Sequence, residues 1–378
     1  MADAPVRASQ SAAAVFAKPD SRASGRSEAA RWRLVEQITA CWRTQALAVA
    51  VELDLPDRLV GGSHSVDELA RETGCDADAL QRILRALCVL QVCRERRDGR
   101  FGLGAAGTWL LRESDCGGPG LRAMVLWWAG PLWALWPELG YSVRTGRSAR
   151  ERLTGRRGYG FLDEGGETSR RFHGAMRALT ATVAADVARL PFWKEARWMV
   201  DVGGGEGELA ATVAQAHPAL RGTVVDREDA APGAQALLAT RGLGRRVRFA
   251  VGDFFTWVPG GADWYLLKSI LHNWDGAAAA RILARCAAAA PEGGGLLVIE
   301  RLRPERLRAG SRDDAVARAD LNMLMGLGGR ERSLLEYERL LSAAGFRLVS
   351  CEPLGHEFAA IKATRMNDAD QVRSRETA

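Results

Sequence analysis

Apolar residues return every three to five positions from Ser27 to about Leu53, at Leu34, Ile38, Trp42, Leu47 and Val51. That spacing predicts amphipathic helices whose stripe serves as core or as a dimer surface. Ser65-Val66-Asp67-Glu68 has the S-x-x-E form of a capping box, in which each side chain answers a free backbone N–H at a helix start, and Gly74 ends that helix. A second helix starts near Asp76–Asp78 and carries Leu80, Ile83, Leu84, Leu87 and Leu90 at helical spacing. Asp98-Gly99, between the extended runs Gln91–Arg97 and Arg100–Leu103, is a strong hairpin signal. Two helices followed by a two-stranded hairpin make a winged-helix unit. Arg82 and Arg85 on the second helix would suit DNA, but Asp76 and Asp78 stand at its start, and dimerisation is the favoured use.

Met124, Trp127, Trp128, Trp133 and Trp136 crowd the stretch between Leu121 and Tyr141. Such rings either fill a helical core or wall a pocket for a flat apolar ligand. Tyr141–Arg157, rich in Arg and Gly, reads as an exposed loop, and Ser169–Leu190 as a helix with Phe172, Met176, Leu179, Val183 and Val187 on one face. From Trp198 short apolar runs alternate with helical stretches. Strands are expected at Trp198–Val202, Gly222–Asp226, Val247–Val251, Trp264–Lys268 and Leu296–Glu300, with helices at Glu208–His217, Ala231–Thr240 and Ala277–Ala290. This alternation predicts an α/β fold, a parallel sheet with helices on both faces. A helix from Ser333, with Glu336 completing a capping box, precedes two strands, Arg347–Leu354 and Glu357–Ala363, that suit an antiparallel pair at a sheet edge. The expected organisation is a tail over 1–27, a winged-helix dimerisation domain over 28–110, a helical linker with pocket residues over 111–190, the α/β domain over 191–364 and a polar tail over 365–378.

Ligands of an open parallel sheet sit beyond the carboxyl ends of its strands, and here those ends carry chemistry. The first strand runs into Gly203-Gly204-Gly205-Glu206-Gly207, where the backbone can approach a ligand closely. Asp226 ends the second strand about 20 residues further on, the place from which a carboxylate accepts ribose hydroxyls. Asp253 and Phe254, after the third, suit the exocyclic amine and the ring of adenine. The loop departs from the dinucleotide pattern, because Glu208 stands at the place of the third glycine, and a carboxylate at Glu206 or Glu208 beside a helix start is expected to repel a pyrophosphate. A cationic, phosphate-free adenosine such as S-adenosylmethionine escapes that repulsion. His272 lies just past the fourth strand, with Glu300 and Glu331 as candidates to orient its ring. With an unperturbed pKa near 6.5 it can take the proton of a hydroxyl that will not lose it unaided.

Composition narrows the classes. The chain of 378 residues is long enough for two domains, and its 47% hydrophobic content is that of a soluble globular protein. Cys41, Cys75, Cys88, Cys93, Cys116, Cys286 and Cys351 are scattered and odd in number, which favours reduced thiols in a cytoplasm over disulfides or a zinc site. The net charge of +6 is spread along the chain, giving little support to nucleic-acid binding. No stretch approaches the roughly 18 consecutive apolar residues of a membrane span, and Met1–Arg26 lacks the apolar core of a secretory signal.

Val200-Asp-Val-Gly-Gly-Gly-Glu-Gly207, Val251-Gly-Asp-Phe-Phe255, Leu267-Lys-Ser-Ile-Leu-His-Asn-Trp-Asp275, Gly328-Gly-Arg-Glu-Arg-Ser333 and Ala343-Ala-Gly-Phe346 together resemble the S-adenosylmethionine-dependent O-methyltransferases of the plant caffeic-acid type and their bacterial relatives in secondary metabolism. The resemblance spans roughly Glu36 to Lys362. It implies a Rossmann-like class I methyltransferase sheet, a homodimer through the N-terminal domain, a cytoplasmic enzyme, and transfer of a methyl group to a hydroxyl of an aromatic or polyketide-like small molecule without a metal, leaving S-adenosylhomocysteine. By position it makes His272 the general base flanked by Glu300 and Glu331, and it puts the cofactor at Gly203, Gly205, Asp226, Arg227, Asp253, Phe254 and Lys268. Trp127, Phe172, Met176, Asn322 and Met323 match substrate-pocket positions. Arg227 stands where an apolar residue often packs on adenine, which its guanidinium can replace by stacking. Methylation at nitrogen or carbon on the same fold, and a ligand-sensing DNA-binding regulator, are the competing readings.

Overall fold

The computed structural model describes residues 27–112, 120–163, 165–309 and 313–367, so Cys116, residues 1–26 of the expected N-terminal tail and residues 368–378 of the C-terminal one lie outside it. The chain divides into two compact units, one ending at Gln45 and one running from Ala46. In the first, Ser27 accepts from the N–H of Ala30 to cap helix α1 (Glu28–Thr39), and helix α2 (Cys41–Glu52) begins. Of the expected apolar stripe, Leu34, Ile38 and Trp42 are exposed, whereas Leu47 is half-buried and Val51 is buried.

The second unit begins with the rest of α2, α3 (Leu55–Arg58), α4 (Val66–Thr73) and α5 (Ala77–Val89). Ser65 and Glu68 close the capping box at α4 in both directions, and Gly74 ends it in the left-handed conformation. Strands β1 (Cys93–Glu95) and β2 (Phe101–Leu103) pair antiparallel across Asp98-Gly99, completing the helix, helix and hairpin order read from the sequence. Helix α6 (Arg122–Trp128) follows. The expected loop at Tyr141–Arg157 is instead mostly helical, as α7 (Leu139–Thr145) and α8 (Ala149–Thr154). Its glycines are helix ends rather than loop interior: Gly146 and Gly155 each close a helix at φ 69° and 67°.

Helix α9 (Gly166–Ala188) leads into the α/β layer, which holds β3 (Trp198–Val202), α10 (Glu208–Ala216), β4 (Arg221–Asp226), α11 (Ala231–Thr240), β5 (Val247–Val251), β6 (Trp264–Lys268), α12 (Gly276–Ala289) and β7 (Gly295–Arg301). Helix α13 (Asp313–Gly326), which sequence periodicity did not reveal, precedes α14 (Leu334–Ala343), β8 (Phe346–Pro353) and β9 (Phe358–Arg365). The sheet order is β5-β4-β3-β6-β7-β9-β8. The first five strands are mutually parallel and the last two antiparallel, as expected, with β9 inserted next to β7 and β8 at the edge. Alternation along each strand sorts side chains to two cores. Met199, Leu266, Leu297 and Ile299 pack with α9, α10 and α11, whereas Val200, Val202, Tyr265, Leu267 and Val298 pack with α12 and α14. Two buried layers explain why these strands read as continuous apolar runs.

Candidate active site

Successive parallel strands step outward from β3 to β4 and β5 on one side, and from β6 to β7 on the other. The reversal between β3 and β6 opens a crevice beyond their carboxyl ends, the usual ligand position in such sheets. A cavity of about 940 Å³ lies there. The glycine turn forms its floor: Gly203 sits at φ 71°, and a Cβ added to it would come within 2.5 Å of Ile270 Cδ1 and 3.3 Å of Phe254 Cε1. Only glycine fits both the backbone and the space. The turn is tied to its neighbour, since the N–H of Gly203 donates to Val225 O at 2.8 Å and that of Gly205 to Asp226 Oδ2 at 2.6 Å. Asp226 also accepts from the N–H of Arg227 at 2.7 Å, so part of its acceptor capacity holds the turn. Two carboxylate oxygens offer about four acceptor positions, which leaves capacity for a ligand. Asp253, Phe254 and Lys268 line the same cavity.

Two expectations about charge are corrected. Glu208 does not present an open carboxylate to a ligand, because Arg241 Nη2 grips both its oxygens at 2.6 and 2.7 Å in a buried pair. Glu206 lies 3.3 Å from Arg177 Nη1. Their charges are compensated within the protein, and repulsion of a pyrophosphate by them is not supported. Arg227 likewise differs: its guanidinium is held between Asp163 at 2.6 Å and Asp229 at 3.0 Å, partners that a sequence reading of stacking on adenine did not include. Beneath the floor, burial and the neighbouring Asp226 push the Asp201 carboxyl, buried on β3, up to about 7. Burial and the nearby Arg301 draw the Lys268 ammonium down to about 7.

His272 lies in the short turn after β6, only 6% exposed. Asn273 fastens that turn by donating Nδ2–H to Ser269 O at 2.9 Å, where Ser269 adopts φ 55°. The segment carrying Glu331 can lie against it because Gly329 has no side chain: a Cβ there would fall 2.1 Å from His272 O. The N–H of Arg330 then donates to His272 O at 2.8 Å. The result is one ring nitrogen facing two acids. His272 Nδ1 lies 3.0 Å from Glu331 Oε1 and 3.2 Å from Glu300 Oε2, both glutamates being buried. Glu300 is itself set by the N–H groups of Ile270 and His272, which donate to its Oε1 at 3.1 and 3.3 Å. Nδ1 therefore carries the proton, and Nε2 is left as an acceptor with no hydrogen-bond partner among the described residues. Burial works against the charged ring, but Glu300 and Glu331 outweigh it and hold the His272 pKa above its ordinary value. Burial pushes Glu300 upward.

Aromatic side chains wall the rest of the cavity. Trp127 and Phe172 meet edge to face at 5.3 Å, and Phe161 and Phe172 at 5.8 Å. Helix α9 is shared between two tasks. Phe172 and Met176 on its first half face the cavity, while Val183 and Val187 on its second half belong to the sheet core. Asn322 and Met323 on α13 complete the expected set; of the site residues read from sequence, only Glu300 does not reach the cavity surface, standing behind the imidazole. Sequence reasoning missed Tyr159, Phe161, Arg150 and His173, which also line it. Phe161 and Tyr159 sit in a Gly-rich stretch whose flanking glycines mask them, and His173 Nε2 is taken up by Asp229 at 2.8 Å.

Residues 136–347 match the model of an O-methyltransferase domain, and residues 35–113 that of an O-methyltransferase dimerisation domain. The chain is 37% identical over 315 residues to an O-demethylpuromycin-O-methyltransferase of Streptomyces alboniger, covering 82% of this chain and 83% of the relative. It is 34% identical to an 8-amino-8-demethylriboflavin N,N-dimethyltransferase of Streptomyces davaonensis, over 84% of this chain and 90% of that one. Its fold superposes on human N-acetylserotonin methyltransferase in complex with S-adenosylmethionine with a TM-score of 0.81 and 25% identity, over 92% of this chain and all of that one (100%).

Proposed function

The chain belongs to the O-methyltransferase family, and from that premise we propose that it moves the methyl group of S-adenosylmethionine to a phenolic or enolic hydroxyl of an aromatic or polyketide-like metabolite, with His272 as general base. The observation that carries this reading is the His272 imidazole in the cavity wall, whose Nδ1 faces two buried glutamates while Nε2 is open. A neutral ring so held accepts the hydroxyl proton at Nε2. The imidazolium that results lies beside Glu300 and Glu331, as an orienting carboxylate supports a triad histidine.

The residues present fit the cofactor. Gly203 leaves the floor free of a side chain where Ile270 and Phe254 close in on it, Asp226 retains acceptor capacity, Phe254 offers a ring face, and Asp201 Oδ2 is buried without a hydrogen-bond partner among the described residues. When bound, S-adenosylmethionine supplies an electrophilic methyl on a sulfonium that loses its charge on transfer. Gly203, Gly205, Asp226, Asp253, Phe254 and Lys268 hold it; Trp127, Phe172, Met176, Asn322 and Met323 hold the acceptor flat and exclude water. Alignment of two bound reactants contributes about 7–11 kcal/mol, against roughly 10²–10⁴-fold from a base. Positioning therefore dominates. Proton removal by His272 requires no metal, although the His272, Glu300 and Glu331 donor atoms lie within 4.8 Å of one another, so rates with EDTA and with added Mg²⁺ are part of the test. The dimerisation-domain match and the exposed apolar stripe of α1 support a homodimer. No helix among the described residues is long and apolar enough to cross a membrane.

The N,N-dimethyltransferase among the relatives favours one second reading, transfer to an aromatic amine. Labelled S-adenosylmethionine with a panel of phenols, hydroxylated polyketides and arylamines separates the two. Label in the phenols is the expected outcome; label confined to the amines replaces the oxygen reading with the nitrogen one.

A further inference from the structure

Six arginines line the cavity, and five have a carboxylate partner. Arg157 meets Glu151 at 3.0 Å, Arg177 meets Glu206 at 3.3 Å, Arg318 meets Asp314 at 2.9 Å and Arg301 meets Glu357 at 4.0 Å, while Arg227 is shared between Asp163 and Asp229. Arg150 alone has none among the described residues, although it is only 7% exposed. Its Nε is buried without any hydrogen-bond partner. The guanidinium lies over the Phe161 ring at 4.0 Å and near the Trp127 ring at 5.5 Å, the two rings that wall the acceptor region. Among the described residues no hydrogen bond joins the Arg150 side chain to the nearby end of α13, where Met325 O and Gly326 O share the one hydroxyl proton of Ser148 at 3.1 and 2.8 Å. Burial draws its pKa down only to about 10, so it stays charged at neutral pH.

Aromatic faces compensate a buried cation only in part, and an uncompensated charge in a dry site is costly. An anion arriving with the ligand removes that cost. We propose that Arg150 reads a ring carboxylate of the methyl acceptor, so that the preferred substrates are hydroxylated aromatic acids. This rests on the reading of the cavity as an O-methyltransferase acceptor site. A guanidinium fork matches a carboxylate with two parallel N–H donors, and its seat beside Phe161 and Trp127 aligns that pair with a flat ring held by the same aromatics. Arg150 is then a specificity residue, separate from the proton-transfer centre at His272.

The test uses the full chain saturated with S-adenosylhomocysteine and three probes: 3-hydroxy-2-naphthoate, its methyl ester and 2-naphthol. Titration calorimetry should give the acid an affinity roughly tenfold or more above that of the ester, the scale of a hydrogen bond to a charged group. Arg150→Gln should abolish the difference, and Arg150→Lys should keep part of it. Equal affinity of acid and ester for the unaltered protein, or a preference that survives in Arg150→Gln, overturns the proposal. Should Arg150→Gln not bind S-adenosylhomocysteine, Arg150→Lys and the acid-to-ester ratio of the unaltered protein decide. Turnover assays separate the two levels of inference: methylation of neutral phenols as fast as of acids overturns the role of Arg150 alone, whereas no transfer to any hydroxyl overturns the O-methyl reading as well.

Discussion

Replacing His272 by Gln removes the base while leaving an amide N–H for the glutamates. The choice matters, because Glu300 and Glu331 are 0% and 1% exposed and an alanine would strand both. Stranding a buried charge costs about 3–5 kcal/mol of stability, enough to confuse lost chemistry with lost folding. If proton removal at Nε2 is the contribution of His272, turnover falls roughly 10²–10⁴-fold, equivalent to about 3–5 kcal/mol of barrier. The positioning contribution of the cavity survives, so a slow residual rate remains. The glycine turn is untouched, and S-adenosylhomocysteine affinity by calorimetry should stay within about threefold, under 1 kcal/mol. The pH profile adds an independent readout. The ring must be neutral to accept a proton, and its pKa is raised, so kcat should climb with pH through a midpoint above the ordinary value of about 6.5. Glu331→Gln withdraws one of the two stabilising charges and should move that midpoint down. The stability sign runs with it: a raised folded pKa contributes stability that is complete below the unfolded value and is lost as pH rises through the folded one. The melting temperature of His272→Gln should accordingly trail the wild type most in acid and least in alkali. Turnover within threefold of wild type, or a flat pH profile, refutes the base.

Three further outcomes follow from the same geometry. Gly203→Ala puts a methyl 2.5 Å from Ile270 Cδ1 at φ 71°, where a side chain is strained; S-adenosylhomocysteine affinity should drop at least about tenfold, and unchanged affinity by calorimetry would show that the turn is not the cofactor floor. Arg241→Met strands buried Glu208 and should lower stability by about 3–5 kcal/mol in urea unfolding, while a loss under about 1 kcal/mol would mean that the pair contributes little. Asp201 is raised to about 7 from 3.8, so the stability it contributes is complete below the lower value and lost as pH climbs to the upper one; Asp201→Asn should melt above wild type at pH 8 and lose that advantage near pH 4, and a variant less stable at pH 8 contradicts this.

The α/β layer was legible because its central strands β3, β4, β6 and β7 are largely buried on both faces and bounded by turn residues. Trp198–Val202, Val247–Val251 and Trp264–Lys268 coincide with their expected ranges, and the other strands differ by a residue or two at their ends. The candidate cluster around His272 was legible as residues at or just past strand ends. Its geometry was not: nothing in the residue pattern says that Glu300 and Glu331 meet on the same ring nitrogen, since that depends on Gly329 letting one loop lie against another. The stretch between the two recognisable layers was read least well. Helices α7 and α8 are seven and six residues long, too short for periodicity to register, and their capping glycines mimic loop composition. Helix α13 divides its side chains between core, cavity and solvent and so lacks a strong apolar stripe. Arg150 was hidden for the same reason, because an arginine in an Arg- and Gly-rich segment reads as surface.

The corrected charges sharpen what the cavity selects. Glu206 and Glu208, the residues that first spoke against a pyrophosphate, are paired with Arg177 and Arg241 and exert little net field. Asp201 and Asp226 are instead each raised by burial, Asp201 further by Asp226, while on Asp226 the hydrogen bonds from the N–H groups of Arg227 and Gly205 pull the other way without cancelling it. A raised carboxylate resists ionisation until a positive charge arrives beside it, and a sulfonium brings one without the phosphates of a dinucleotide. Across the cavity the imbalance has the opposite sign, at Arg150 among aromatic rings. Asp201 and Asp226 thus favour an arriving cation and Arg150 an arriving anion, all on the wall of one cavity that His272 also lines. On the proposed reading, a cationic donor and an anionic acceptor would each supply the missing partner charge, adding an electrostatic contribution to the positioning by the glycine turn and the aromatic walls.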